Sequence, residues 1–220
     1  MNPCISLIKK VKSLFQTGKE SLRRKGPLLF LRHLLLHYVV CYIYENTLNG
    51  PKFPCKINEA QFKIIHSKEE LDTILKKGFD FTQFPPDLLQ YRTRLNDEVV
   101  LFLLLINGDV AHTSWVALNK EASCDFYPSS VKNTKDTSAG YIGGTLTAPK
   151  YRKKGINLYI HSEIFLYLKE RKKSKAILSI HKENIAARDS QIKLGSCIKE
   201  ERHELRFLLF SLKWSRPYSL

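Results

Sequence analysis

The stretch that decides the reading is Thr147-Ala148-Pro149-Lys150-Tyr151-Arg152-Lys153-Lys154-Gly155-Ile156-Asn157. It joins two segments of different period. Ala139 to Ala148 (AGYIGGTLTA) reads as a strand containing the pair Gly143-Gly144, whereas Ile156, Ile160, Ile164 and Leu168 recur at i+4 and give a helix to about Lys169. A passage from strand to helix exposes the unpaired N–H groups of a first helical turn and the positive end of the helix dipole. Here it is lined by Lys150, Arg152, Lys153 and Lys154, and Gly155 lacks the Cβ that would keep a diphosphate away from the backbone. The pattern points to an anion site; the plainer alternative is a solvated basic turn with a convenient glycine.

Outward from that stretch the chain alternates strands and helices. Ala176 to Ile180 (AILSI) is a buried strand after the charge run KERKKSK, so strand, helix and strand form a right-handed parallel crossover. Asn184 to Leu194 is a further helix stopped by Gly195, and Ile198 to Leu205 and Phe207 to Lys213 are two closing strands. Upstream, Val99 to Ile106 (VVLFLLLI) and Val110 to Leu118 flank Asn107-Gly108, a hairpin signal because both turn positions favour positive φ. The first of these strands is apolar on both faces and therefore central. Phe62 to Ile65 is a short strand, and Ser67 with Glu70 is a capping box that opens the helix Lys68 to Lys77 ahead of Gly78. Asp87 to Arg94 reads as a helix after Pro85-Pro86, and Cys124 to Ser138 as a loop.

The chain has 220 residues, 43% of them hydrophobic, which suits one domain plus an appendage and excludes a long disordered chain or a fibrous repeat. Its 36 Lys and Arg against 21 Asp and Glu give a net charge of +15, which calls for a polyanionic partner: nucleic acid, an anionic membrane face or a phosphorylated cofactor. The cysteines, Cys4, Cys41, Cys55, Cys124 and Cys197, are odd in number and never in C-x-x-C spacing. Neither a disulfide framework nor a thiolate metal site follows, and a reducing cytosol is the expected compartment.

Residues 1–54 stand apart from the domain at 55–220. Lys9, Lys10, Lys12, Lys19, Arg23, Arg24, Lys25 and Arg32 oppose only Glu20 and Glu45. The apolar stretch Leu28 to Tyr44 comes too late and ends in residues too bulky for a signal peptide, and Arg32, His33 and His37 make it too polar to span a bilayer. The expectation is a basic amphipathic helical arm, following Gly26-Pro27. It would lie on the inner face of an anionic membrane, on its own domain or on a second copy in a homodimer. His33 and His37 are one turn apart with no third ligand, so no metal is expected.

Two segments carry a family resemblance. Arg152-Lys-Lys-Gly155-Ile-Asn157 resembles the R/Q-x-x-G-x-G/A pyrophosphate loop of the GNAT family of acyl-CoA-dependent N-acyltransferases, and T-A-P-K-Y before it resembles that family's V-x-P-x-Y. Asn184-Ile-Ala-Ala187 followed by Lys193-Leu-Gly195 resembles the family's N-x-x-A…K-x-G segment. The resemblance covers roughly Phe62 to Trp214. It implies an α/β (α+β) fold with a mixed, mostly antiparallel central sheet flanked by helices, acetyl-CoA or another acyl-CoA as acyl donor, no metal, and a primary amine as acceptor. It also implies that Arg152, Lys153, Lys154, Gly155, Ile156 and Asn157 bind phosphate. The main chain at Leu146 and Thr147 would hold the pantetheine arm, with Asn184 reaching it from the next helix. Two positions depart from the pattern: Asn157 replaces Gly or Ala, and Gln191 stands where many members have the tyrosine that protonates the departing thiolate.

The acceptor amine needs a base, and the strand Ala139 to Ala148 has no carboxylate. His181 and Glu183, at the end of the following strand, are the candidates beside the splayed centre of the sheet, with His112 approaching from the hairpin; a purely structural histidine is the alternative for each. Tyr141 is a substitute proton donor, and Tyr91, Trp115 and Phe126 are candidates for an acceptor pocket. The basic, aromatic-rich arm suggests an amino sugar or envelope-related acceptor. Two other classes compete: a catalytically silent GNAT-fold scaffold that keeps a CoA site, and nucleic-acid binding through Lys150 to Lys154 and Arg171 to Lys175. The last lacks any helix-turn-helix, zinc or RNP-type pattern.

Overall fold

The computed structural model describes residues 37–85, 91–123, 137–207 and 210–219. In chain order the first half carries β1 (His37–Asn46), β2 (Gln61–Ile65), α1 (Lys68–Lys76), β3 (Val99–Ile106), β4 (Asp109–Ala117) and the single turn α2 (Lys120–Ser123). The second half carries β5 (Ala139–Thr147), α3 (Ile156–Glu170), β6 (Lys175–His181), α4 (Ile185–Lys193), β7 (Cys197–Phe207) and β8 (Phe210–Pro217). These residues divide into two compact units, one of 42–200 with 217–219 and one of 37–41 with Glu201–Arg216.

In the larger unit β2, β3, β4 and β5 pair antiparallel in that order, and β5 pairs parallel with β6. The order continues through 42–46 of β1 to the start of β7. Every position of β3 is buried, as its apolar run requires. Asn107 and Gly108 close the β3–β4 hairpin at φ 50° and 81°, the positive values that Asn-Gly accommodates. Ile156, Ile160, Ile164 and Leu168 bury one stripe of α3, each contributing about 1.5–3 kcal/mol. At α1 the Ser67 hydroxyl accepts from the Glu70 N–H at 3.2 Å, and Leu71 and Ile74 enter the core.

In the smaller unit the Tyr38, His203 and Trp214 rings stack on one another, the last two at 5.0 Å and 3°. Arg216 pairs with Glu201 at 2.7 Å. Phe210, Leu212 and Trp214, alternate residues on one face of β8, are exposed.

Three expectations change. The amphipathic helix expected from Leu28 to Tyr44 is a β-strand in its described part, because HYVVCYIYEN is rich in β-branched and aromatic residues and takes a place in the sheet after β6. Residues 1–36, with the basic cluster, lie outside the described residues. Of the helix expected at Asp87 to Arg94, the described part Tyr91–Arg94 is a 3-10 turn. The final strands run longer and turn later than the alternation implied.

Candidate functional site

The larger unit's sheet opens in the middle of β5. Pairing with β6 covers only Ala139↔Lys175 to Ile142↔Leu178. From Gly143 onward β5 keeps β4 alone as its strand partner, and burial follows: the first four residues of β5 are buried, the remaining five half-buried. The divergence has a local cause. Between Thr113↔Leu146 and Trp115↔Gly143 one residue of β4, Ser114, faces two of β5, Gly144 and Thr145. Gly144 adopts φ 56°, so this is a β-bulge whose extra residue uses left-handed backbone. A bulge bends the strand that carries it, and here it turns β5 away from β6. The main-chain edge of Gly143–Thr147 is left facing the opening.

That edge leads directly into the loop before α3. Tyr151 anchors the loop to the hairpin, its hydroxyl donating to Asp109 Oδ2 at 2.7 Å and to the Ile106 carbonyl at 3.3 Å. Lys150 forms an ion pair with the same carboxylate. Lys150 first, and Tyr151 second, hold the Asp109 carboxyl below the usual carboxylate range, and Asp109 raises Lys150 in turn. Of the four basic residues, Lys150 is therefore committed to holding the loop. Arg152 donates from Nε to the Thr147 carbonyl at 3.1 Å, and Arg152, Lys153 and Lys154 are exposed. Gly155 is the N-cap of α3 at φ 77°, with no side chain closing the first turn, and a Cβ built there meets no atom within 4 Å. The backbone conformation favours the glycine, and no side chain caps the first-turn N–H groups. Such an N-terminus favours an anion. A phosphorylated cofactor with an extended arm fits this arrangement, phosphates at Gly155 and arm along the bare β5 edge.

The acid–base candidates separate. His181, the last residue of β6, and Glu183, in the turn that follows, are exposed, and the Asn184 N–H donates to the His181 carbonyl at 2.9 Å. Asn184 N-caps α4, its Oδ1 accepting from the Ala187 N–H at 3.2 Å. The structure thus gathers His181, Glu183 and Asn184 where β6 passes into α4. His112 is elsewhere: it is fully buried in β4, with Nδ1 2.8 Å from Thr147 Oγ1 and Nε2 3.1 Å from Ser114 Oγ. Burial, with a smaller contribution from His161, pushes its pKa down to about 3. An imidazole with both nitrogens occupied and so little basicity is unsuited to take a proton from an ammonium.

Gln191 is fully buried rather than turned to the opening. Its Nε2 donates to His161 Nδ1 on α3, and its Oε1 accepts from Ser196 Oγ at 2.9 Å. Asn46 of β1 extends the chain, donating to Ser196 Oγ at 3.0 Å and to the Leu194 carbonyl at 2.8 Å. Burial pushes His161 down to about 4. This group escaped sequence reading because its members are scattered; the one signal was a histidine and a serine, His161 and Ser162, inside the apolar run of α3. Tyr141 is buried where β5 is still paired with β6, at Ile177, and so lies before the opening. Trp115 is core, Tyr91 begins the 3-10 turn, and Phe126 lies outside the described residues. Among the described residues there is no group of three or more His, Cys, Asp or Glu that could hold a metal, and no helix long and apolar enough to cross a membrane.

No protein-family model and no curated protein matches the chain. Solved structures do. A GCN5-related N-acetyltransferase from Sphaerobacter thermophilus is similar at TM-score 0.52 and 16% identity, over 84% of this chain and 58% of that one. A GCN5-related N-acetyltransferase-like protein from Streptococcus suis is similar at TM-score 0.52 and 11% identity, over 84% and 68%. A glucosamine N-acetyltransferase region of a fungal multi-domain GH3 β-N-acetylglucosaminidase is similar at TM-score 0.50 and 18% identity, over 81% of this chain and 22% of that one. The chain thus spans less than two thirds of the Sphaerobacter and fungal proteins. With its mostly antiparallel sheet, its β5–α3–β6 crossover and its flanking helices, the chain has the fold of the GCN5-related N-acetyltransferases.

Proposed function

We propose that the chain is an acyl-CoA-dependent N-acyltransferase, most simply an N-acetyltransferase, that acylates a primary amine. The observation that carries this reading is the junction of two features: the β5 edge at Gly143–Thr147, which β6 no longer pairs with and whose Thr147 carbonyl accepts from Arg152, runs into the N-terminus at Gly155, which no side chain caps. Bound acyl-CoA would supply an activated thioester. The N–H groups from Lys153 to Asn157 would hold its diphosphate, with Arg152, Lys153 and Lys154 as counter-charges, and the main chain of Leu146 and Thr147 would pair with the extended arm as an added strand does. Asn184 keeps its amide N–H group for the same arm while Oδ1 caps α4. A main-chain N–H at the opening would donate to the thioester carbonyl oxygen as negative charge develops. His181, or Glu183 beside it, removes the proton from the amine. Gln191 is withdrawn into the core and offers no proton at the opening, so solvent would supply one to a thiolate with a pKa of about 8.5.

The fungal neighbour's glucosamine N-acetyltransferase region supports an amino sugar as the first acceptor to try. The residues before His37 are the part proposed to meet an anionic membrane. A silent scaffold that retains the CoA site is the second reading, favoured by the burial of Gln191 and of His112. Melting temperatures with acetyl-CoA, coenzyme A and ADP, followed by thiol release over an amine panel containing glucosamine, separate the two. Stabilisation with thiol release supports the enzyme, stabilisation without release supports the scaffold, and no stabilisation removes both.

A further inference from the structure

A buried imidazole is costly unless both nitrogens find partners, and β4 meets that requirement in a particular place. His112 and Ser114 are fully buried on β4, and Thr145 and Thr147 are half-buried on β5. Four polar groups form one chain: Thr147 Oγ1 to His112 Nδ1 at 2.8 Å, His112 Nε2 to Ser114 Oγ at 3.1 Å, and Ser114 Oγ to Thr145 Oγ1 at 2.8 Å. The chain spans the bulge. Ser114 is the β4 residue with no register partner there, and Gly144–Thr145 is the stretch of β5 that lacks one. Beyond this point β5 has left β6, and its backbone is tied to β4 by the pairs Thr113↔Leu146 and His112↔Thr147 and by the Ala148 N–H donating to the Ala111 carbonyl at 2.9 Å. A strand held on one side and hinged at a left-handed glycine can pivot. The side-chain links supply the constraint that the interrupted ladder does not.

We propose that His112 is a positioning residue, which with Ser114 locks Thr145 and Thr147 and so fixes the outward edge of Gly143–Thr147 in the orientation that a pantetheine arm pairs with. The inference rests on the cofactor reading above and gives that edge a specific support. Because neutral imidazole offers one donor and one acceptor, the chain runs unbroken across the bulge, which no aliphatic residue could provide.

Coenzyme A and ADP separate the two halves of the site, since ADP carries the diphosphate without the arm. Calorimetric titration of the full-length chain with each ligand is the test, for the natural sequence, His112→Leu, His112→Gln and Ser114→Ala. Coenzyme A affinity is expected to fall about tenfold in His112→Leu and Ser114→Ala while ADP affinity holds, as the loss of one or two ordering hydrogen bonds at the arm alone would give. His112→Gln, which keeps a donor and an acceptor, should recover part of the loss. Should His112→Leu fail to fold, the smaller Ser114→Ala carries the test. Equal losses for both ligands, or an unchanged ratio, would overturn the positioning role. If the natural sequence binds ADP as tightly as coenzyme A, the pairing of the arm with β5 is wrong. Binding of neither ligand would remove the cofactor site itself.

Discussion

The N-termini of α3 and α4 solve one problem in opposite ways. Each helix leaves its first N–H groups without partners inside the helix. At α4 the Asn184 side chain reaches over and takes the Ala187 N–H, which closes the end locally. At α3 the cap is Gly155, with no side chain to offer, held at φ 77° and opening onto empty space. A glycine in place of a side-chain cap costs only about a few tenths of a kcal/mol, and its positive φ restricts what else can stand there. The difference teaches where an anion is expected: the closed terminus is structural, and the open one, beside three exposed cations, has donors to spare.

The largest effect should come from filling the open end. Gly155→Glu adds a Cβ at a backbone angle costing about 1–2 kcal/mol and sets a negative charge against the proposed phosphates. Affinity for both ADP and coenzyme A should drop by about 100-fold or more, corresponding to about 2.7 kcal/mol. Gly155→Asn, neutral and tolerant of left-handed backbone, should lose much less, which separates charge from conformation. Retained ADP affinity in Gly155→Glu would erase the distinction between the two termini.

The helices are also tied together, and the tie titrates. His161 of α3 is joined to Gln191 of α4 and influences His112 of β4, and burial holds both imidazoles down, at about 4 and about 3. Their ordinary value is 6.5, so as pH falls below it the unfolded chain takes up protons that the folded chain refuses. Stability from this source is complete above pH 6.5 and declines toward pH 4, by about 1.4 kcal/mol per pH unit for each imidazole. Asp109, held low by Lys150 and Tyr151, acts with the same sign further down, its contribution lost as pH falls through its own depressed pKa. Urea unfolding at pH 7, 6 and 5 measures the slope. His112→Gln should reduce it by about one imidazole's share, and an unchanged slope would show that His112 protonates in the folded chain.

Most of the frame was legible because periodicity reports burial directly. The all-apolar VVLFLLLI had to be central, Asn107-Gly108 had to turn, and the i+4 isoleucines of α3 had to face the sheet. The strand-to-helix passage at Gly155 was legible for a related reason: a glycine among cations at a helix start combines the positive φ, the bare backbone and the counter-charge that an anion-binding turn needs. What stayed hidden depends on distant partners. His37–Asn46 reads as amphipathic helix or as strand until a place in the sheet selects between them. His112 looked like a base because its type is known from sequence, whereas its basicity is set by burial and, to a smaller degree, by His161, and its nitrogens are taken by Thr147 and Ser114, which only pairing brings near. Gln191 likewise stood at a position of interest, but the direction it faces was decided by His161 and Ser196, thirty and five residues away.

The smallest effect tests the closed end. Asn184→Ala removes the cap of α4 and should cost about 1 kcal/mol of stability, read as a lower urea midpoint. ADP binding should not change, because this terminus already has its own acceptor and lies outside the phosphate loop. Asn184→Asp then separates the two duties assigned to this residue. A carboxylate caps at least as well as an amide and is favoured at a helix N-terminus, so stability should return to that of the natural sequence. It has no amide N–H group to give to a pantetheine carbonyl, so coenzyme A affinity should fall severalfold while ADP affinity holds, within the net worth of one hydrogen bond. If Asn184→Asp binds coenzyme A as well as the natural sequence does, Asn184 serves α4 alone, and the contrast between a purely structural terminus and a ligand-binding one becomes sharper still.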